Sequence, residues 1–259
     1  MFGLIDAGIN SFLFQPPCKG CKEKMPECET WMSDYEQVTL RTADNVNINA
    51  WYLTTDNPSV YVLSSHGNAD CVPNWAQEAD YLRCRYNAAV LIYDYRGYGR
   101  SEGKPTADTV VLDGEAAVRW LCRREKIKPS DLVIHGYSLG GAVAVQLAAK
   151  FKARGLIVKS SFSSLTDIVK HYSSLVGVFM TKEISRQLAS IRAMSRYHGA
   201  LLQSHGDADS IVPYPLGQAL FDSCPSENKT FVTMKGKDHN DEDSPGYRRK
   251  EKAFFTALS

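Results

Sequence analysis

Residues 133–145 read VIHGYSLGGAVAV. A short apolar run meets Gly136. Ser138 stands between Gly136 and Gly140, Gly141 follows, and Ala142 to Val145 resemble the start of a buried helix. A lone hydroxyl framed by residues without side chains, where a strand hands over to a helix, needs a physical reason. A tight strand-to-helix turn supplies one. In the pattern GxSxG, here Gly136-Tyr137-Ser138-Leu139-Gly140, the serine takes a strained backbone conformation that demands small neighbours two residues to either side. The hydroxyl is thereby carried above the sheet edge. The helix that begins at once leaves the Leu139 N–H as an unpaired donor aimed at the same space. Gly141 is expected to hold that helix close to its strand.

The flanking sequence repeats the same strand-then-helix form. VYVLSSHGN, AAVLIYDYRGYG, DLVIHGYSLGG, RGLIVKSS, GALLQSHGDAD and KTFVTMKGKDHN are short apolar runs rich in Val, Ile and Leu, as suits strands covered on both faces. Between them NWAQEADYLRCRY, TVVLDGEAAVRWLCRRE, AVAVQLAAKF, PLGQALFDSC and YRRKEKAFFTAL carry apolar residues at helical spacing. This alternation predicts an α/β protein: a mainly parallel twisted sheet with helices on both faces. Ahead of it EQVTLRTADNVNINAWYLTT alternates apolar and polar residues around Ala43-Asp44-Asn45, which predicts an antiparallel edge hairpin over 36–54. The expected organisation is an N-terminal arm, 1–35, and one domain, 36–259. About forty residues separate the strands near Leu156 and Leu201, more than a plain crossover needs. A small cap is expected there, at about 162–195.

A serine nucleophile needs a base, and the base needs an acid to orient it. Both are expected at the ends of later strands. LLQSHGDADSIVP offers Asp207 and Asp209, and FVTMKGKDHND offers His239; the chain order is then Ser, Asp, His, as a serine on this kind of turn requires. A second oxyanion donor is expected from the loop of VLSSHGNAD, at the Asn68 backbone N–H (or that of Ala69), with the Leu139 N–H as the first. His66 and His205 are read as bracing their loops, His135 as lying beneath the serine turn, and His171 and His198 as surface or cap residues.

Composition sets the bounds. The chain has 259 residues, 44% hydrophobic and 23% charged, with a net charge of +1, so electrostatics make no case for nucleic acid or an anionic membrane as the main partner. No stretch has the ~18 consecutive apolar residues of a membrane span. MFGLIDAGINSFLFQPP, with Asp6 and no Lys or Arg, makes a poor signal peptide and is read as a short helix or arm packed on the domain; membrane contact through this arm stays open but is not predicted. The seven cysteines are an odd number and mostly scattered, which points to reduced thiols and a cytoplasmic setting. Cys18, Cys21 and Cys28 form a CxxC with a third cysteine, open to reading as a partial zinc site or a redox pair. With no fourth ligand at metal spacing they are read as ordinary thiols.

Taken together, SHGNA, DYRGYGRSEG, GYSLGG, HGDADSIVP and GKDHND resemble the α/β-hydrolase superfamily from about Glu36 onward. They are most similar to its branch of depalmitoylase-like and lysophospholipase-like esterases. The resemblance implies the α/β-hydrolase fold. It places the acid at the fifth position of HGxxDxxVP, which is Asp209 rather than Asp207, and matches Ser138 to the nucleophile and His239 to the base. It implies structural roles for Asp94, Arg96 and Ser101. Depalmitoylases of eukaryotes carry an acylated cysteine-rich N-terminal segment. Here the cysteines lie past FQPP and are interleaved with Lys and Glu.

The expected activity is hydrolysis of carboxylic esters or thioesters of small to medium acyl groups, with a small-molecule substrate, no organic cofactor and no metal. Tyr137, Val176, Phe179, Met180 and Val212 are the candidate pocket residues; the apolar cap residues among them serve equally well as helix packing. A peptidase or amidase with the same three residues, and a non-catalytic ligand-binding relative of the fold, remain open. Covalent labelling by a fluorophosphonate separates enzyme from binding module.

Overall fold

The computed structural model describes residues 14–16, 35–172 and 188–258. The chain divides into two compact units, Met1–Leu132 and Val133–Ser259.

In the first unit the strands are β1 (Tyr35–Arg41), β2 (Asn47–Leu53), β3 (Val60–Ser65) and β4 (Ala88–Tyr93), in the order β1-β2-β4-β3. β1 and β2 form the expected hairpin, in register from Tyr35 opposite Leu53 to Arg41 opposite Asn47. Its turn is closed by Thr42: the Thr42 N–H donates to Val46 O (3.0 Å), the Thr42 hydroxyl to Asp44 (2.7 Å), and Asn45 takes φ 66°. Asn is among the side chains that tolerate this left-handed region. β2 is antiparallel to β4, and β3 is parallel to it. All six residues of β4 are buried, which explains its unbroken apolar run.

Helix α1 (Val72–Tyr86) follows β3, and α2 (Ala107–Glu125) follows β4. Thr106 caps α2 reciprocally: its hydroxyl accepts the Thr109 N–H (3.2 Å), while its own N–H donates to the Thr109 hydroxyl (2.8 Å). The DYRGYGRS segment is tied to its surroundings by hydrogen bonds and ion pairs. Buried Asp94 accepts from Asn49 Nδ2 (2.7 Å) and the Val72 N–H (2.8 Å). The Arg96 guanidinium joins Asp113 (2.8 Å) to Asp44 (2.7 Å), and the Ser101 hydroxyl donates to Asp94 O (3.0 Å).

The second unit carries the parallel strands β5 (Leu132–Tyr137, whose first residue closes the first unit), β6 (Gly155–Lys159), β7 (Ala200–Gly206) and β8 (Lys229–Met234), in that spatial order. β6 and β7 are buried throughout, whereas β8 is largely half-exposed. The helices are α3 (Leu139–Phe151), α4 (Leu165–Tyr172), α5 (Ser190–Met194), α6 (Tyr214–Asp222) and α7 (Pro245–Leu258). β5 runs on through Gly136, because its pairing with β6 continues to Tyr137 opposite Lys159. Of the expected cap, residues 173–187 lie outside the described residues, as does most of the arm. Among the described residues no helix is long and apolar enough to cross a membrane, and Cys71, Cys84, Cys122 and Cys224 form no disulfide.

Candidate active site

The turn that opened the sequence reading has the backbone it was expected to have. Ser138 sits at φ 53°, ψ −116°, between the last residue of β5 and the first of α3. That region is uncommon for a residue with a side chain and costs of order 1–3 kcal/mol. The surrounding backbone holds it there. The Ser138 N–H donates to Lys159 O on β6 (2.8 Å), and Ser138 O accepts from the Ser161 hydroxyl (2.8 Å) and the Gly141 N–H (3.0 Å). A Cβ on Gly136 would overlap the Gly140 carbonyl and come within 2.7 Å of Ala144 Cβ. A Cβ on Gly141 would lie 2.5 Å from Ser161 Cβ. Both glycines are therefore required by close approach. The Leu139 N–H is the first of α3, a position with no intrahelical acceptor.

Asp209 follows β7, and His239 follows β8. The two meet: His239 Nδ1 lies 2.8 Å from Asp209 Oδ2, and both side chains are buried. An ionised carboxylate only accepts, so Nδ1 carries the hydrogen of this bond. Asp209 Oδ1 accepts the Ile211 N–H (3.0 Å) and the Val212 N–H (2.7 Å), and His205 Nε2 lies 3.2 Å from Oδ2. Burial opposes the charge on Asp209. The hydrogen bonds from His205, His239 and Val212 outweigh it and hold the carboxyl well below the usual carboxylate range. Asp207, the alternative carboxylate, is exposed and accepts the Gly236 N–H (2.6 Å), bracing the turn after β8.

Three further contacts position the histidine, and the sequence reading assigned none of them. The Tyr137 hydroxyl donates to the His239 carbonyl, with Asn240 Oδ1 3.0 Å away. Burial, then the charges of Asp209, Asp243, Asp238 and Asp241, push that phenol well above its ordinary range, so it remains a donor. The Asp238 carboxylate accepts the Ser210 N–H (2.7 Å), the Ser210 hydroxyl (2.8 Å) and the His239 N–H (2.7 Å), tying the acid loop to the histidine loop. These bonds, led by the Ser210 N–H, lower its ionisation range. Lys159 Nζ, in a nearly buried side chain, lies 2.7 Å from Asp243 Oδ2, four residues past His239. A lysine ending the otherwise apolar run GLIVK was the available sequence signal for this last pair.

The other expected residues fall as follows. Asn68 lies on the loop after β3, where its side-chain Oδ1 accepts from the Tyr98 hydroxyl (2.6 Å) and the Gln15 N–H (3.0 Å). His66 braces this loop: Nδ1 is 2.7 Å from Gly67 O, and the ring packs on Tyr95 and Tyr98. Burial lowers its proton affinity despite Asp94 nearby. Val212 is buried and serves the acid through its N–H. His135 is buried in β5, and His171 and His198 are exposed. Val176, Phe179 and Met180, and Cys18, Cys21 and Cys28, lie outside the described residues.

Known proteins share this arrangement of elements. A family model described as alpha/beta hydrolase fold matches residues 61–233. The chain is similar to protein bem46 of Schizosaccharomyces pombe, 31% identical over 232 residues, covering 86% of this chain and 77% of that protein. It is also similar to the human alpha/beta hydrolase domain-containing protein 17B, 30% identical over 203 residues, 77% of this chain and 67% of that one. Among solved structures, the Pyrococcus furiosus esterase Pf2001 has the same fold, with a TM-score of 0.71 at 18% identity, covering 87% of this chain and 91% of that chain. The chain belongs to the α/β-hydrolase superfamily, on the branch that includes bem46 and protein 17B.

Proposed function

We propose that the protein is a serine hydrolase of carboxylic esters or thioesters with small to medium acyl groups. In this reading His239 Nε2 accepts the proton of the Ser138 hydroxyl as the oxygen attacks the acyl carbon. The negative charge that forms on the carbonyl oxygen is met by the Leu139 N–H. Asp209 holds the imidazole in the tautomer with a free Nε2 and stabilises its protonated form. His239 then gives its proton to the leaving alcohol or thiol, and the acyl group stays on Ser138. A water molecule, deprotonated by the same imidazole, releases it as the carboxylic acid and restores the serine. The observation that carries the reading is the His239–Asp209 pair at 2.8 Å, both side chains buried, in a unit whose first turn holds Ser138 at positive φ. A neutral, oriented imidazole with its outer nitrogen free is what a serine nucleophile requires.

The test is covalent labelling by a fluorophosphonate, with the labelled peptide identified by mass spectrometry. Modification at Ser138, lost in Ser138→Ala, is expected; a folded chain that is not labelled and hydrolyses no ester from acetate to palmitate would overturn the proposal. The same esters address substrate class. Each buried methylene contributes about 0.8 kcal/mol, so kcat/KM is expected to rise by roughly tenfold from acetate to butyrate and to fall again for long chains.

A further inference from the structure

His205 is wholly buried in β7 and has no step in the mechanism above. Its Nε2 lies 2.8 Å from Val212 O and 3.2 Å from Asp209 Oδ2. Both of these atoms only accept, so Nε2 carries the hydrogen and shares it between them. The other nitrogen, Nδ1, is buried with no hydrogen-bond partner among the described residues. It faces α6, where only a glycine fits: a Cβ on Gly217 would overlap Nδ1 and lie 2.8 Å from Cε1. The ring is thus locked with one edge on the acid and the other in an apolar contact. A buried polar atom left unmet has a cost, which a purely apolar side chain at this position would avoid.

The compensation is at Asp209. Its Oδ1 is fixed by two backbone N–H groups, which leaves Oδ2 to be met by side chains. Oδ2, the oxygen that receives His239 Nδ1–H, has His205 Nε2–H as its second donor. We infer that His205 is a positioning residue for the hydrolysis, holding Asp209 Oδ2 in place so that His239 is kept in one orientation. The inference rests on the triad reading proposed above. His205 does not reach substrate: one ring nitrogen is committed to the acid loop and the other to Gly217.

The test compares His205→Gln with His205→Asn. The glutamine amide reaches the place of the imidazole Nε2 and can donate to Asp209. The asparagine amide ends near the place of Nδ1 and cannot. Wild type, both variants and His205→Met are assayed on a butyrate ester, with thermal melts to select folded protein. For Asn and Met, kcat is expected to fall about tenfold with KM little changed, the scale of one hydrogen bond to an ionised group. Gln is expected to recover most of the loss. A readout independent of turnover is the low-field proton resonance of His239 Nδ1–H, sharp in wild type and Gln and exchange-broadened in Asn. If the melts follow the substitutions while kcat and the resonance stay at wild-type values in folded Asn, His205 is packing only and the inference is overturned. A wild type without esterase activity or fluorophosphonate labelling refutes the triad reading itself. The His205 inference falls on its own only when wild type is active and Gln fares no better than Asn.

Discussion

Replacing Ser138 in two ways separates backbone strain from chemistry. The residue sits at φ 53°, ψ −116°, where any Cβ is crowded by its own backbone. Ser138→Ala removes the hydroxyl and keeps the crowding. Ser138→Gly removes both. The strain released is about 1–3 kcal/mol, while glycine costs roughly 0.5–1 kcal/mol through the freedom it gives the unfolded chain. The balance favours glycine over alanine by about 0–2.5 kcal/mol, opposite to the usual order of these residues. For a chain of this size 1 kcal/mol moves Tm by about 2–4 °C, so Ser138→Gly is expected to melt up to about 10 °C above Ser138→Ala. The assay is thermal unfolding followed by circular dichroism at two scan rates, with ester hydrolysis measured in parallel; both variants should be inactive. A glycine variant that melts below the alanine variant would show that the turn is not strained, and would remove the physical reason given for its unusual backbone.

The remaining expectations concern the charged groups around it. Asp209→Asn is expected to lower kcat/KM by about a thousandfold or more, and Asp207→Asn, at an exposed turn, by less than about threefold; steady-state kinetics of the two folded variants decides which carboxylate acts. Because the folded protein holds Asp209 below its usual ionisation range, its contribution to stability is full above the unfolded value, near pH ~4, and is lost as pH falls through the folded value. Urea midpoints between pH ~5 and ~2 should therefore fall more steeply for wild type than for Asp209→Asn. Tyr137→Phe removes the hydroxyl bonded to the His239 carbonyl and is expected to lower kcat by roughly three- to tenfold at near-constant KM, measured on the same butyrate ester.

The sequence reading reached furthest where the physics is local. The apolar run AAVLIY could only be a strand covered on both faces, and it is β4. The hairpin around Thr42–Val46 and the glycines flanking Ser138 follow from turn chemistry and close packing that act within a few residues. The choice between Asp207 and Asp209 was not legible in that way. It depends on which carboxylate meets the histidine thirty residues later in the chain, and only the likeness to HGxxDxxVP separated the two. Contacts such as Lys159 with Asp243, or Tyr137 with the His239 carbonyl, join residues with no shared periodicity. They become visible only once β5, β6 and β8 are in place. His205 read as a loop brace, which it is, but the oxygen it braces could not be known before the loop had a shape.

The hydrogen bond from the Ser138 N–H to Lys159 O makes the serine the next rung of the β5–β6 ladder. The height of the hydroxyl above the sheet is therefore counted in strand residues. Slipping β6 by a single residue would present side-chain faces in the opposite sense and leave the Ser138 N–H opposite a different carbonyl. Single-residue insertions and deletions in homologous chains should accordingly collect in the connections far from this rung and avoid the paired span from Val133 to Tyr137 and from Gly155 to Lys159. Length variation between related sequences thus becomes a ruler for the nucleophile: wherever the spacing from Gly155 to Lys159 changes, the serine can no longer be assumed to stand at the same height.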